Sequence, residues 1–175
     1  MTRALHLALA TLRPRRPVPG QHVLDPSVTR LRVRPGDLDL YRHVNNGVYL
    51  QMMDVARSNF LADLGATQLL AARGWYPVVA ASTMTYRRSL TLGQRFEITT
   101  RVLGWDPRVV FLEQVFTRGG EHVARGWVAG RFLSRDGGRV PAPDVVAVLE
   151  HAPATSPELP AEVAAWAAAV DVAHR

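Results

Sequence analysis

Hydrophobic and polar positions alternate between Val28 and Val33. Thr29, Leu31 and Val33 fall on one face, and Val28, Arg30 and Arg32 on the other, so a strand is predicted that ends at Pro35-Gly36. The period then changes. Tyr49, Met53, Ala56, Phe60 and Leu64 recur every three or four residues, the stripe of a long amphipathic helix. Asn45 or Asn46 caps its start and Gly65 its end. A short helix is predicted over Thr67 to Arg73, broken by Gly74. Four strands follow, over Tyr76 to Tyr86, Arg95 to Trp105, Val109 to Thr117 and His122 to Leu133. In the second of these, Phe96, Ile98, Thr100 and Val102 share a face. Asp106-Pro107-Arg108 and Gly119-Gly120 supply the turns, and Asp136-Gly137-Gly138 is expected to end the sheet.

One strand, one long helix and a run of strands predict an α+β fold with the sheet wrapped around the helix. A chain of 175 residues suits one domain with tails. The boundaries are a leader and Pro/Arg-rich linker over 1–24, the domain over 25–140 and a helical extension over 141–175. In that extension, Asp144 to Glu150 suits a short helix. An Ala-rich helix after Pro160 carries Val163, Trp166, Val170 and Ala173 on one side and needs a surface to dock on.

Composition removes several chemistries. There is no cysteine, which excludes a thiolate nucleophile, a disulfide and a Cys-ligated metal. All 21 basic residues are Arg, which excludes lysine Schiff-base chemistry. The net charge of +6 suits attraction of an anionic ligand. Nucleic acid fits poorly, because the arginines are scattered and no zinc-finger, recognition-helix or aromatic RNA-binding signature is present. No apolar run approaches the roughly 20 residues of a membrane span. The leader Met1 to Leu12 reads as a short helix rather than a signal peptide, and a cytoplasmic location is expected.

The candidate chemistry lies between Asp37 and Arg57. Two carboxylates, Asp37 and Asp39, precede two asparagines and then the long helix. A helix N-terminus offers unpaired N–H groups and a partial positive charge that polarise a carbonyl. A nearby carboxylate can attack that carbonyl or activate a water.

The ordered set Asp37, Asp39, His43-Val44-Asn45-Asn46, Tyr49-Leu50, Asp54 and Ala56-Arg57 resembles the acyl-CoA thioesterases of the hotdog fold, in the 4-hydroxybenzoyl-CoA thioesterase-like branch. Ala80-Ala81-Ser82, Tyr86 to Leu90 and Leu103 to Asp106 are similar to its thioesterase-superfamily member 6 group. The resemblance implies hydrolysis of acyl-CoA by a homodimer or homotetramer with the site between subunits. CoA enters as part of the substrate, and no metal or other cofactor is implied. Asp39 takes the catalytic position, as base or nucleophile. Asp37 supports the loop through backbone hydrogen bonds. Asp54 is the rival carboxylate, although an i,i+3 ion pair with Arg57 is its more economical reading. His43 braces the loop or touches substrate, and the N–H groups of Asn46 and Gly47 are the oxyanion-hole candidates. Arg87 and Arg88 are the candidates for the CoA phosphates, followed by Arg42. Relatives often carry Gly where this chain has Arg42, so a positive φ there would be strained. Trp75, Trp105, Trp127 and Phe111 are expected in the core or an interface. The alternative function is an acyl-CoA-binding protein without turnover.

Overall fold

The computed structural model describes residues 3–170. Helix α1 (Arg3–Leu12) precedes β1 (Ser27–Arg32), and the long helix α2 spans Asn46–Asp63. After α3 (Ala66–Ala72) come β2 (Trp75–Tyr86), β3 (Arg95–Trp105), β4 (Val110–Arg118), β5 (Glu121–Ser134) and β6 (Arg139–Val140). Helices α4 (Ala142–Ala147) and α5 (Ala161–Ala169) follow. The strands form one antiparallel sheet in the order β1-β3-β4-β5-β2, with β6 added beside β5. The chain therefore does not leave the sheet at Asp136. Gly137 and Gly138, both at positive φ, turn it back so that Val140 pairs with Phe132.

Helix α2 lies in the curl of this sheet, which is the hotdog arrangement. Tyr49, Met52, Met53, Val55, Ala56 and Phe60 are all buried, a wider stripe than its sequence period suggests. The close approach depends on Gly126 of β5. A Cβ there would lie 2.5 Å from Met53 Cε and 2.6 Å from Met84 Sδ. Gln114 of β4 is completely buried beneath the helix. Its Nε2 donates to the Met53 carbonyl at 3.1 Å and to Thr100 Oγ1 at 2.9 Å, so its burial leaves no amide donor wasted.

The outer face of the sheet is covered in part by the C-terminal extension. Val163 packs with Leu103, Val109, Phe111 and Ala129, and the partly buried Trp127 and Trp166 rings meet at 6.1 Å. The expected docking surface of α5 is thus its own domain. Ala173 lies outside the described residues. The extension reaches β3 because Gly104 has no side chain: a Cβ would fall 2.8 Å from Ser156 Oγ, which accepts the Trp105 N–H at 2.7 Å. Trp105 is in the main core, Phe111 and Trp127 lie beneath α5, and Trp75 packs at the edge of the core.

The N-terminal segment is also tied down. The segment from 13 to 20 carries no helix or strand. Arg15 donates to Asp63 at 2.7 Å, and Ser27 Oγ donates to the same carboxylate at 2.6 Å. Arg3 is buried and grips Asp37 with two bonds, Nε to Oδ1 at 2.8 Å and Nη2 to Oδ2 at 2.5 Å. Nη2 also donates to the Arg32 carbonyl at 2.8 Å. A paired, hydrogen-bonded charge tolerates burial, but its partner left alone does not. Arg3→Ala should therefore lower unfolding free energy by about 3–5 kcal/mol, measured by chemical denaturation. A loss below about 1 kcal/mol, typical of an exposed pair, would show that α1 is not anchored this way.

Candidate active site

The loop between β1 and α2 is organised by its two carboxylates in different ways. Asp37 is buried, accepts the Arg34 N–H at 2.7 Å and receives the Arg3 guanidinium. Its carbonyl accepts the Asn45 N–H at 2.9 Å, which joins it to the helix cap. Asp37 is therefore the loop support expected of it, with Arg3 as an unforeseen partner. Asp39 is only partly buried. Its Oδ1 accepts the N–H groups of Tyr41 at 2.9 Å and His43 at 3.2 Å. Its Oδ2 takes no hydrogen bond among the described residues. One oxygen is held by the backbone and the other is left for chemistry.

The turn between these residues closes with Asp39 N donating to the His43 carbonyl at 2.8 Å and Arg42 N to the Asp39 carbonyl at 3.0 Å. Such a tight return needs a left-handed residue, and Arg42 supplies it with φ +63°. The backbone shape suited to Gly is kept, and Arg42 bears the strain. The side chains of Arg42 and His43 are exposed, and neither forms a hydrogen bond among the described residues.

Asn45 caps α2: its Oδ1 accepts the Gly47 N–H at 2.9 Å. The Gly47 donor is thereby committed within the protein, whereas the Asn46 N–H has no acceptor among the described residues. Gly47 has no positive φ. What a side chain there would meet is Asn45 Oδ1, 3.3 Å from its Cβ. Tyr86, at the end of β2, donates its hydroxyl to the Asn46 carbonyl at 3.3 Å. The loop and the end of this outermost strand are therefore neighbours.

Asp54 is more than two turns down the helix and pairs with Arg57, the i,i+3 contact its spacing allows. Arg57 Nη1 continues to Gln114 Oε1 at 2.7 Å. Burial raises the Asp54 pKa, and Arg57 opposes this by lowering it. Burial lowers the Arg57 pKa, with Asp54 opposing. Both residues line an apolar cavity of about 460 Å³ between α2 and the sheet, walled by Phe60, Leu61, Leu70, Trp75, Leu112 and Phe132 among others. No residue of the 37–47 loop belongs to its wall. Within one protomer, Asp39 and the cavity are separate features. The sequence reading missed the cavity and Gln114. A glutamine in phase with Leu112 and Phe116 on an otherwise apolar strand face was the available signal.

Arg87 and Arg88 follow β2, and both backbone N–H groups donate to the Val123 carbonyl. Both side chains are exposed. Arg88 pairs with the exposed Glu121, while Arg87 has no partner among the described residues.

A family model for the thioesterase-like superfamily matches residues 33–167. The chain belongs to that superfamily. It is 37% identical over 135 residues to protein THEM6 of Xenopus laevis, covering 77% of this chain and 63% of that one. It is 33% identical over 89 residues to the long-chain acyl-CoA thioesterase FadM of Escherichia coli, covering 51% of this chain and 67% of that protein. The crystal structure of a gentisyl-coenzyme A thioesterase superposes with a TM-score of 0.63 at 25% identity, over 70% of this chain and 100% of the other. The chain thus spans less than two thirds of the Xenopus relative's length. No described helix is long and apolar enough to cross a membrane.

Two outcomes follow from this geometry. A left-handed non-glycine residue costs about 1–2 kcal/mol, so Arg42→Gly should raise the melting temperature and Arg42→Val should lower it; the reverse order would remove the strain argument. Asp54 should titrate above an ordinary carboxylate by NMR. In Arg57→Gln it should move higher still, because the residue that lowers it is gone while the burial that raises it stays. A downward move would contradict that assignment.

Proposed function

We propose that this protein hydrolyses acyl-CoA thioesters, with Asp39 as the catalytic carboxylate. The observation that carries the reading is the Asp39 side chain itself: one oxygen is tethered by two backbone N–H groups and the other is unengaged, on the loop that leads into the N-terminus of α2. The Asn46 N–H is the oxyanion donor of this reading. Gly47 serves it indirectly, by letting Asn45 close over the helix end. Thiols have a pKa of about 8–9, so a thiolate leaves without a strong general acid. A carboxylate and polarising donors are then chemically sufficient. The carboxylate takes a proton from the water that adds to the carbonyl, and collapse of the tetrahedral adduct releases the thiolate and the acid. Alternatively, the carboxylate itself adds, and collapse releases the thiolate and leaves a mixed anhydride on Asp39; water then hydrolyses that anhydride to the acid and free Asp39.

The cavity supports a straight aliphatic acyl group. Its wall is mostly apolar side chains, with Phe60, Leu61, Leu112 and Phe132 among them, which suits a hydrocarbon chain. FadM is named for long-chain substrates, which agrees with that shape. In this reading a second copy joins the separate features. Strand β2 ends the sheet order, and Tyr76, Val79 and Tyr86 on it are exposed, as are Leu40 and Tyr41 beside Asp39. A dimer formed through this edge covers them and places one copy's Asp39 loop against the other's helix, Asp54 and cavity. The α5 strap over the outer sheet face favours a dimer over back-to-back tetramers. Arg87 remains the candidate for a CoA phosphate, with Arg88 and Arg42 in support, and the location is cytoplasmic. The alternative, a binding protein without turnover, keeps the cavity and loses the role of Asp39.

Asp39→Asn should lower kcat by about 10²–10⁴-fold, the usual worth of a positioned base, with little change in KM. Asp54→Asn should do less. An Asp39→Asn protein that turns over acyl-CoAs as fast as wild type would falsify the assignment. Over a series of saturated acyl-CoAs, each added methylene should lower KM by up to about fourfold, from 0.8 kcal/mol per buried methylene, until the cavity is full. A KM independent of chain length would leave the cavity outside the substrate path.

A further inference from the structure

A second groove, of about 770 Å³, lies at the other edge of the sheet, with Leu31 and Phe96 in its wall and a concentration of charged side chains that the first cavity lacks. Arg30, Arg32 and Arg34 reach it from β1 and the residues after it, Arg95 from β3, His6 from α1, and Gly119 and Gly120 from the β4–β5 turn. Glu97 is the one carboxylate in its wall among the described residues, and Arg30 occupies it at 2.8 Å. Asp37 lies nearby, but Arg3 holds it with two bonds.

The remaining arginines are poorly served by the protein. Arg32 and Arg95 are directly paired across β1 and β3, a like-charge juxtaposition that costs stability. Arg32 Nε has only the Gly93 carbonyl, at 2.9 Å. The Arg95 side chain meets no acceptor among the described residues. Arg34 is the most telling, because its Nη1 is shielded from solvent and has no hydrogen-bond partner among the described residues. A buried guanidinium nitrogen without an acceptor is expensive, and a fork of N–H donors matches a phosphate oxygen pair. Burial lowers the His6 pKa, the cations Arg34 and Arg3 lower it further, and Asp37 opposes them.

We propose that this groove binds a phosphate-bearing anion, held by Arg34 and Arg95 with Arg32 beside them. The groove shares no residue with the acyl cavity and takes only Arg34 from the loop before α2, so its binding test does not depend on the hydrolytic reading. The same phosphate chemistry is offered by a soluble pyrophosphate group and by the headgroup of an acidic phospholipid.

Calorimetric titration with inorganic pyrophosphate tests it. Wild type should bind, and Arg34→Gln and Arg95→Gln should each weaken binding by about tenfold, the loss of one charge-assisted contact. Arg139→Gln, which removes a positive charge on β6 instead, should leave the affinity unchanged. An NMR titration of His6 in wild type gives a readout that needs no variant: bound pyrophosphate offsets the arginines and should raise the His6 pKa. Co-sedimentation with phosphatidic acid vesicles, but not with phosphatidylcholine vesicles, and its loss in Arg34→Gln and Arg95→Gln, would identify a lipid headgroup. Pyrophosphate binding without sedimentation would identify a soluble ligand. The proposal is overturned if neither pyrophosphate nor phosphatidic acid vesicles bind, if Arg139→Gln weakens binding as much as the groove variants do, or if His6 is unmoved by pyrophosphate.

Discussion

Burial of α2 in the curl of a single sheet is the constraint on which the remaining structure depends. An isolated sheet with one apolar face needs a partner, and one helix is enough only if the sheet bends around it. Gly126 lets the Met53 thioether come against the β5 backbone, and Met52 and Met53 are fully buried. The same engulfment forces Gln114 to satisfy itself against Met53 and Thr100, which makes it a fixed acceptor for Arg57. A polar network at the cavity wall is thus a by-product of how the core closes.

The fixed helix also gives the loop before it a rigid platform. Two aspartates two residues apart end in different environments because one side chain turns in and the other stays near solvent. Asp37 is consumed by Arg3, Arg34 and the cap of α2, and its role is to hold shape. Asp39 gives one oxygen to the turn it closes. Arg42 accepts a left-handed backbone so that this turn stays tight. Local strain at a site of this kind is tolerated when the surrounding hydrogen bonds over-determine the conformation. Here they run from α1 through Asp37 to the N-terminus of α2.

Charge is distributed as deliberately as shape. The wall of the inner cavity is mostly apolar, and Asp54, Arg57 and Arg135 are its charged members among the described residues. Arginines gather instead outside it, around Arg34 and Arg95 at the β1 edge and at Arg87 and Arg88 past the end of β2. Charge thus sits at the rims of the molecule and the cavity wall is mostly apolar, the division that the proposed reading requires of a ligand with a charged head and a greasy tail.

Local periodicity determined most of the elements. The β3 strand from Arg95 to Trp105, the Asn45 cap of α2, the left-handed Gly65 and the helix after Pro160 are all legible because each depends on neighbours in sequence. The order of Asp37, Asp39, the Asn pair and the helix determined the family and the candidate loop in the same way. Other features arose only in three dimensions. Nothing in Met1 to Leu12 announces that Arg3 will meet Asp37, 34 residues away. The return of Arg139 and Val140 to the sheet depends on β5 being there to receive them. Which N–H of the helix end stays unspent was decided by the direction of the Asn45 side chain, not by the presence of Asn46 and Gly47. The cavity and the cationic groove could not be read in the chain at all. Their walls are drawn from residues far apart in sequence, and empty space belongs to packing, which no local pattern encodes.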